Sequence, residues 1–209
     1  MSSEIKFHAI AAMSDESRGI GFNNSLPWSV PEDAEYFLRV VKTTFDKSKI
    51  NAVIVGTRTW ESIPKEDRPI SPCLNIIVSS RASFESLEIS PNADLTKIQI
   101  CRSLDEAVKL VKEKYSDSVE AIYAIGGTQI YKDSIFSEYF DRFYLTRIFG
   151  HFKCDTFLQP ENFLSYFKKI DSEQLEKEEK LFQVKYNSIQ IEPKSGNHYV
   201  FEVYEKIKN

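Results

Sequence analysis

Asp33 is the residue of this chain whose setting best suits chemistry on a bound ligand. In a helix that begins near Pro31, three apolar residues share a face with Asp33, because the four positions follow the spacing i, i+4, i+7, i+8. They are Phe37, Val40 and Val41. A carboxylate on an apolar face is costly to bury without a partner, and such groups often have a shifted pKa and a function. The alternative is a solvated Asp33 that only complements the helix dipole.

A glycine-punctuated loop precedes this helix. Its sequence, Gly19-Ile20-Gly21-Phe22-Asn23-Asn24-Ser25-Leu26-Pro27-Trp28, disfavours regular structure. Ser29 and Glu32 have the spacing of a capping box, and Pro31 suits the first turn of a helix, where its missing N–H costs nothing. We therefore expect the loop to close over the helix face that carries Asp33.

Strand-length apolar stretches alternate with helix starts through the first two thirds of the chain. Strands are predicted at 7–13, 51–56, 74–80, 97–101, 119–125 and 143–148. Helices are predicted at 57–64, from a second capping box at Ser103 and Glu106, and from Thr128. Near the C-terminus, 167–170 and 199–204 are predicted strands with no helix between them, and the charged run 173–180 is interpreted as a surface excursion.

This order of elements predicts an α/β fold. Strands that alternate with helices up to about residue 135 imply right-handed crossovers and a mostly parallel central sheet. The closing strands suit an antiparallel C-terminal edge. A length of 209 residues fits a single domain, 1–209.

Composition excludes several classes of function. The net charge of −4 and pI near 5.5 argue against a general binder of nucleic acid or anionic membranes. The segment 1–6 lacks the features of a signal peptide, and no apolar run is long enough to span a bilayer. Cys73, Cys101 and Cys154 fit neither a zinc site nor a disulfide framework, which favours a reduced cytoplasmic setting without a metal.

Four polar segments follow predicted strands, where an open α/β sheet binds its ligands. They are the loop at Gly19, 56–59, 79–81 and 126–128. Taken singly, a Gly-Gly pair is more often a tight turn, and Arg58, Arg81 and Arg102 are more often solvated. Because the three arginines occur together at the ends of strands, they indicate a binding site for a dinucleotide that carries an extra phosphate. No Gly-x-Gly-x-x-Gly lies between strand and helix, which disfavours an ordinary Rossmann site.

Motifs along nearly the whole chain resemble those of the dihydrofolate reductase family. The first, from Gly19 to Phe37, combines Gly-Ile-Gly, Leu-Pro-Trp, an acid five residues after the tryptophan and a phenylalanine four after the acid. The others follow in order at 55–64, 68–69, 75–79, 103–107, 125–131, 145–147, 155–157 and 199–206.

The resemblance implies NADPH-dependent reduction of 7,8-dihydrofolate to tetrahydrofolate by hydride transfer from nicotinamide C4 to pterin C6. It implies a small-molecule substrate, a monomer, and no nucleic-acid or membrane partner. Asp33 would bind the pterin 2-amino group and N3, and Thr146 would form a hydrogen bond with Asp33, partly through water. A water admitted beside Leu26 would protonate N5, and loop closure would exclude solvent during hydride transfer.

The resemblance also implies the remaining site residues. The catalytic residues would be Asp33, Leu26 and Thr146. The substrate-binding residues would be Ile10, Ala11, Asp33, Phe37, Leu38, Ser62, Ile63, Asp67, Cys73, Ile125 and Thr146. The cofactor-binding residues would be Ala12, Gly19, Ile20, Gly21, Ser25, Arg58, Thr59, Ser79, Ser80, Arg81, Arg102, Gly126, Gly127, Thr128, Gln129, Ile130 and Tyr131, with a cis Gly126–Gly127 bond.

The chain departs from the family pattern at two positions. Cys73 stands where the family usually carries an arginine for the α-carboxylate of the substrate's glutamate, and a thiol cannot replace that bidentate pair. We expect weaker binding of the tail unless Arg39 or Arg68 reaches across. Cys73 could also be only a small buried hydrophobe. The second departure is Thr57, which replaces a basic residue and weakens the expected preference for NADPH over NADH.

Two alternatives follow. One is a reductase of the same fold that acts on a tail-less dihydropterin or a ribosylated pyrimidine. The other is a non-catalytic paralogue that binds NADPH or a protein partner.

Overall fold

A computed structural model describes residues 5–81, 83–89 and 93–208, with nothing described of the Glu85 side chain. The strands are β1 Lys6–Ser14, β2 Gly19–Gly21, β3 Ile50–Gly56, β4 Leu74–Val78, β5 Ile98–Cys101, β6 Val119–Ala124, β7 Phe140–Phe149, β8 Thr156–Phe157, β9 Phe167–Lys169, β10 Gln190–Ile191 and β11 His198–Lys206. The helices are α1 Pro31–Lys42, α2 Thr57–Ser62, α3 Leu104–Lys114, α4 Thr128–Phe136 and α5 Glu176–Phe182.

The main sheet, within the described residues, has the strand order β10-β11-β7-β1-β6-β3-β4-β5, with β9 also paired to β11. Strands β1, β3, β4, β5, β6 and β7 pair in parallel. Strand β11 runs antiparallel to β7, β9 and β10. The predicted fold, a mostly parallel sheet with an antiparallel C-terminal edge, is confirmed.

Two apolar layers cover the faces of this sheet. Successive residues of β1 point to opposite faces, so that Ala9 belongs to one layer and Ile10 to the other. Helices α3 and α4 contribute buried side chains to the first layer, for example Val108. Helix α1 contributes Tyr36 and Val40 to the second layer. Asp33 therefore lies on the α1 side of the sheet.

The start of α1 differs from the prediction. The N-cap residue is Val30, with no side-chain cap, so the capping box of Ser29 and Glu32 is not formed. Pro31 occupies the first turn as predicted. Because a proline disfavours helical backbone in the residue before it, Val30 stays outside the helix and becomes its N-cap residue. Ser29 therefore lies one residue before the position from which it could cap the helix. At α3, Ser103 Oγ does accept from the Glu106 N–H at 3.2 Å, but the Glu106 carboxylate accepts from the Arg102 N–H at 2.7 Å.

Two expectations of irregular structure were wrong. Helix α5 lies between the C-terminal strands, where no helix was predicted, because burial of Leu175 and Phe182 fixes a charged segment against the sheet. The loop at Gly19 contains β2, which pairs with β8 to form a separate two-stranded sheet. Residues 1–4, part of the segment assessed for a signal peptide, lie outside the described residues. None of the described helices is long and apolar enough to cross a membrane.

Candidate active site

Asp33 is a buried carboxylate at the first turn of α1. Only 8% of the residue is exposed, so the solvated alternative is wrong. Burial raises the pKa of Asp33 from 3.8 to about 6, whereas the nearby Thr146 hydroxyl acts in the opposite direction. The loss of hydration therefore has a larger effect on the pKa of Asp33 than the hydroxyl has.

Thr146 approaches Asp33 from β7, the strand next to β1. Residue Thr146 is opposite Ala12 in the sheet and is 1% exposed. Its Oγ1 atom is buried and makes no hydrogen bond of normal geometry to the described residues. A buried hydroxyl without a well-formed hydrogen bond is unfavourable, and a polar ligand held by Asp33 would satisfy it.

A cavity of about 230 Å³ opens beside Asp33. It is lined by Ile10, Ala11, Ala12, Leu26, Asp33, Ala34, Phe37, Ile125 and Tyr131. Apart from the Asp33 carboxylate and the Tyr131 hydroxyl, these side chains are apolar, which suits a flat ring with one edge of hydrogen-bond donors. Ala34 was not predicted as a site residue, because a small exposed side chain carries no signal of its own.

A second cavity of about 520 Å³ continues from the first, sharing Ala12, Leu26, Ile125 and Tyr131 with it. Its other lining residues are Ile20, Gly21, Asn24, Ser25, Thr59, Ser62, Ile63, Pro64, Gly126, Gly127 and Thr156. A ring bound here would lie against a ring bound beside Asp33. The geometry therefore allows direct transfer between two planar ligands.

A third cavity of about 660 Å³ extends the groove along the carboxyl ends of β3 and β4. It shares Asn24, Thr59, Gly127 and Thr156 with the second cavity. The predicted residues Arg58, Ser79, Ser80, Arg102, Thr128, Gln129 and Ile130 line it, together with Gly56, Thr57, Val78, Ser103, Leu104 and Asp133. The three cavities form one groove whose far end carries two arginines.

The start of α4 provides a site suited to phosphate. Gly126 has a φ of +120°, and a Cβ at Gly127 would lie 3.1 Å from Thr59 Oγ1. Only glycine therefore leaves the backbone bare at this point, and backbone N–H groups at a helix start attract phosphate. The Gly56 N–H donates to Gly126 O at 2.7 Å, which fixes this turn to β3. The Gly126–Gly127 bond is cis, as the resemblance implies.

The loop between β2 and α1 covers this groove. Phe22 and Ser25 exchange two backbone hydrogen bonds of 2.9 and 3.0 Å, and Asn23 and Asn24 between them have positive φ, as in a two-residue hairpin. The Asn23 N–H donates to Asp155 Oδ2 at 2.9 Å, which ties the loop to the segment before β8.

Six predicted residues are not among those that line the groove, and Thr146, already described, is one of them. Leu38, Asp67 and Arg81 are exposed, and Gly19 is buried in β2 against Cys154. Cys73 is 1% exposed and its thiol donates to Val41 O at 3.2 Å. It lines a separate cavity of about 300 Å³.

Arg39 and Arg68 do not line the groove. These are the two arginines that were considered able to reach the tail in place of an arginine at position 73. Arg39 pairs with Glu35 at 3.2 Å. Arg68 is buried, donates to Trp60 O at 2.9 Å and lies 3.5 Å from Glu88.

Comparison with known proteins agrees with this geometry. Residues 6–192 match the family model described as dihydrofolate reductase. A putative dihydrofolate reductase of Caenorhabditis elegans is 36% identical over 174 residues, 83% of this chain and 87% of the relative. The dihydrofolate reductase of Heliothis virescens is 32% identical over 206 residues, 98% and 100% of the two chains. The solved structure of Schistosoma mansoni dihydrofolate reductase superposes with a TM-score of 0.73 at 26% identity, covering 98% of this chain and 100% of that one.

Some relatives are longer. A bifunctional dihydrofolate reductase-thymidylate synthase of Daucus carota is 32% identical over 203 residues, which are 97% of this chain but 34% of the relative. The chain thus spans about a third of such bifunctional proteins.

Proposed function

This chain belongs to the dihydrofolate reductase family of oxidoreductases, and on that premise we propose that it reduces 7,8-dihydrofolate to 5,6,7,8-tetrahydrofolate with NADPH. The observation that carries the proposal is the buried Asp33 in a small apolar cavity that continues into a long groove ending in Arg58 and Arg102. A ring-binding pocket joined to a phosphate-binding groove suits hydride transfer to a heterocycle.

Asp33 binds and orients the pterin in this proposal. Its carboxylate accepts hydrogen bonds from the 2-amino group and N3, and Thr146 Oγ1 completes the polar edge. Phe37, Ile63 and Ile10 wall the ring on its apolar sides, and Ser62 lines the adjoining cavity. Because the carboxylate is buried, its negative charge favours the ring protonated at N5. The proton arrives through water beside Leu26, a residue that is 56% exposed.

The groove residues fit a nicotinamide dinucleotide, and family membership implies such a cofactor. NADPH, when bound, supplies the hydride. Ala12, Ile20 and Tyr131 would hold the nicotinamide end, and Gly126, Gly127 and Thr128 the pyrophosphate at the start of α4. Arg58, Arg102, Ser79 and Ser80 would hold the phosphate-bearing ribose. The loop carrying Ser25 excludes water when it closes.

A second candidate is a reductase of the same fold for a substrate without an anionic tail. The observation that favours it is the engagement of Arg39 with Glu35 and of Arg68 with Trp60 and Glu88, together with the burial of Cys73. A glutamate tail would find no bidentate arginine among these residues.

NADPH oxidation by the purified protein tests both candidates, with dihydrofolate and a tail-less dihydropterin at equal concentration. We expect turnover of dihydrofolate that falls by at least about a hundredfold in Asp33→Asn, since the variant cannot carry the charge that favours the protonated ring. Asp117→Asn, the same substitution in an exposed turn before β6, is the control. Better turnover of the tail-less compound would favour the second candidate. Binding of NADPH without any turnover would indicate the non-catalytic paralogue.

The proposal extends to a single-domain monomeric enzyme in the cytoplasm that acts on a small molecule and needs no metal. Light scattering of the purified protein and imaging of a fluorescent fusion in cells test the oligomeric state and the location.

A further inference from the structure

One acidic side chain, Asp133, lies among the described residues that line the arginine end of the groove. It stands on α4 one turn after Gln129, which lines the same cavity. Gln129 Nε2 donates to Asp133 Oδ1 at 2.7 Å, a hydrogen bond between two exposed side chains that line the same cavity. The roles proposed above for this groove do not use Asp133.

The continuity of the three cavities determines which part of a dinucleotide meets Asp133. The reacting ring must lie next to the cavity of Asp33, so the pyrophosphate lies at the start of α4 and the adenosine beyond it. The adenosine half therefore occupies the cavity of about 660 Å³, with Arg58 and Arg102 around it. Arg102 donates from Nη1 to Ser80 O and is thereby held against the same cavity.

Arginine and aspartate at this end of the groove have opposite effects on the preference between a nucleotide with a 2′-phosphate and one without it. Arginine binds phosphate strongly, whereas a carboxylate repels it. A carboxylate at the adenosine ribose instead accepts hydrogen bonds from free ribose hydroxyls, the arrangement that favours a cofactor without a 2′-phosphate. A groove that contains both Arg58 and Asp133 should discriminate less between the two forms than one with arginine alone.

We propose that Asp133 is a specificity-determining residue that reduces the preference of this groove for a 2′-phosphorylated adenosine over the unphosphorylated form. This inference rests on the proposed use of a nicotinamide dinucleotide. The carboxylate of Asp133 lowers the selectivity of the groove for the 2′-phosphorylated cofactor. The replacement of a basic residue by Thr57 acts in the same direction.

The test measures binding of two fragments by titration calorimetry, adenosine 2′,5′-bisphosphate and adenosine 5′-monophosphate, which differ only in the 2′-phosphate, to the full chain and its variants. Asp133→Asn keeps the size of the side chain and removes its charge. Asp117→Asn makes the same change of net charge in an exposed turn at the opposite end of the sheet. Asp133→Glu keeps the charge, and each titration is repeated in high salt. None of these measurements depends on catalysis.

We expect the ratio of the two affinities to shift toward the 2′,5′-bisphosphate by about fourfold in Asp133→Asn, the effect of one charge on a phosphate dianion at roughly 10 Å in water. Asp117→Asn and Asp133→Glu should keep the wild-type ratio, and salt should shrink the difference. An unchanged ratio in Asp133→Asn, with wild-type binding of both fragments, would overturn the inference but leave the proposed function intact. A wild-type protein that binds neither fragment would overturn the cofactor site and the inference with it.

Discussion

Asp33 and Leu26 face the same cavity of about 230 Å³, but Asp33 is 8% exposed and Leu26 is 56% exposed. The carboxylate is fixed by the first turn of a twelve-residue helix, whereas Leu26 follows a hairpin held mainly by backbone hydrogen bonds. The proposed pterin site thus has one buried wall and one exposed wall. This division suits an enzyme that must admit a proton and then exclude water.

Removing the charge of Asp33 should stabilise the folded protein at neutral pH. The pKa of Asp33 is raised from 3.8 to about 6, so the folded state binds the proton more tightly than the unfolded state. Below pH 3.8 both states are protonated and the carboxyl costs nothing. As the pH rises toward 6, stability is lost, and above 6 the penalty is constant at roughly 3 kcal/mol. Asp33→Asn should therefore raise the free energy of unfolding at pH 8 by up to that amount, and hardly at pH 4.

Urea unfolding at the two pH values measures this difference. Asp117→Asn, at an exposed position, should show no such pH dependence. Equal effects of Asp33→Asn at pH 4 and pH 8 would contradict the raised pKa.

An arginine at position 73 should improve binding of a glutamate tail, because its side chain is several atoms longer than that of Cys73 and can extend beyond the buried site of the thiol. Cys73→Arg should lower the KM for dihydrofolate by about tenfold, the effect of a charge-assisted hydrogen bond, and leave the KM for a tail-less dihydropterin unchanged. Cys73→Ser is the uncharged control. Because Cys73 is buried, thermal unfolding must first show that the arginine variant is folded. A folded variant with an unchanged KM for dihydrofolate would contradict the hypothesis that Cys73 weakens binding of the tail.

Asp155 should control how tightly the loop closes. Its Oδ2 accepts from the Asn23 N–H at 2.9 Å, and the Asp155 N–H donates to Gly21 O at 3.0 Å. Asp155→Ala keeps the backbone bond and removes the charged acceptor, which should lower kcat by roughly tenfold and speed hydrogen exchange across 19–26. Asp46→Ala removes a similar loop acceptor, that of the Ser48 N–H, in the loop between α1 and β3 and should leave kcat unchanged. Normal exchange rates in Asp155→Ala would show that the loop is held by other contacts.

Two glycines with positive φ, Gly196 and Gly126, allow the cost of backbone strain to be separated from loss of the proposed phosphate site. Gly196→Ala has open space around the new Cβ at a φ of +71° and should cost about 1 kcal/mol of stability without affecting NADPH binding. In Gly126→Ala, at a φ of +120°, the Cβ would meet Tyr131 and Thr59 within 3.4 Å. We expect NADPH binding to weaken by at least about tenfold there, measured by fluorescence titration. Equal affinities in the two variants would exclude a binding role for the Gly126 backbone.

Much of the fold could be predicted because its signals are local. Each central strand is a short apolar stretch buried on both faces, and Pro31 marks a helix start through its own covalent geometry. Helix α5 could not be predicted in this way, because seven residues are too few to show a period and their helical form depends on burying Phe182. The capping box predicted at Ser29 does not form, because Pro31 disfavours helical backbone at Val30. The capping-box motif takes no account of this local restriction.

The amino-acid sequence by itself determined the family, the parallel sheet and the position of Asp33 on an apolar helix face, because these depend on residue type and spacing along one element. Only the tertiary structure decided that Asp33 is buried with a raised pKa, that Cys73 and Arg81 lie away from the groove, and that Asp133 lies within it. Burial and shared cavities depend on which elements pack together. Asp33 and Asp133 line connected parts of one groove only because elements distant in sequence lie side by side.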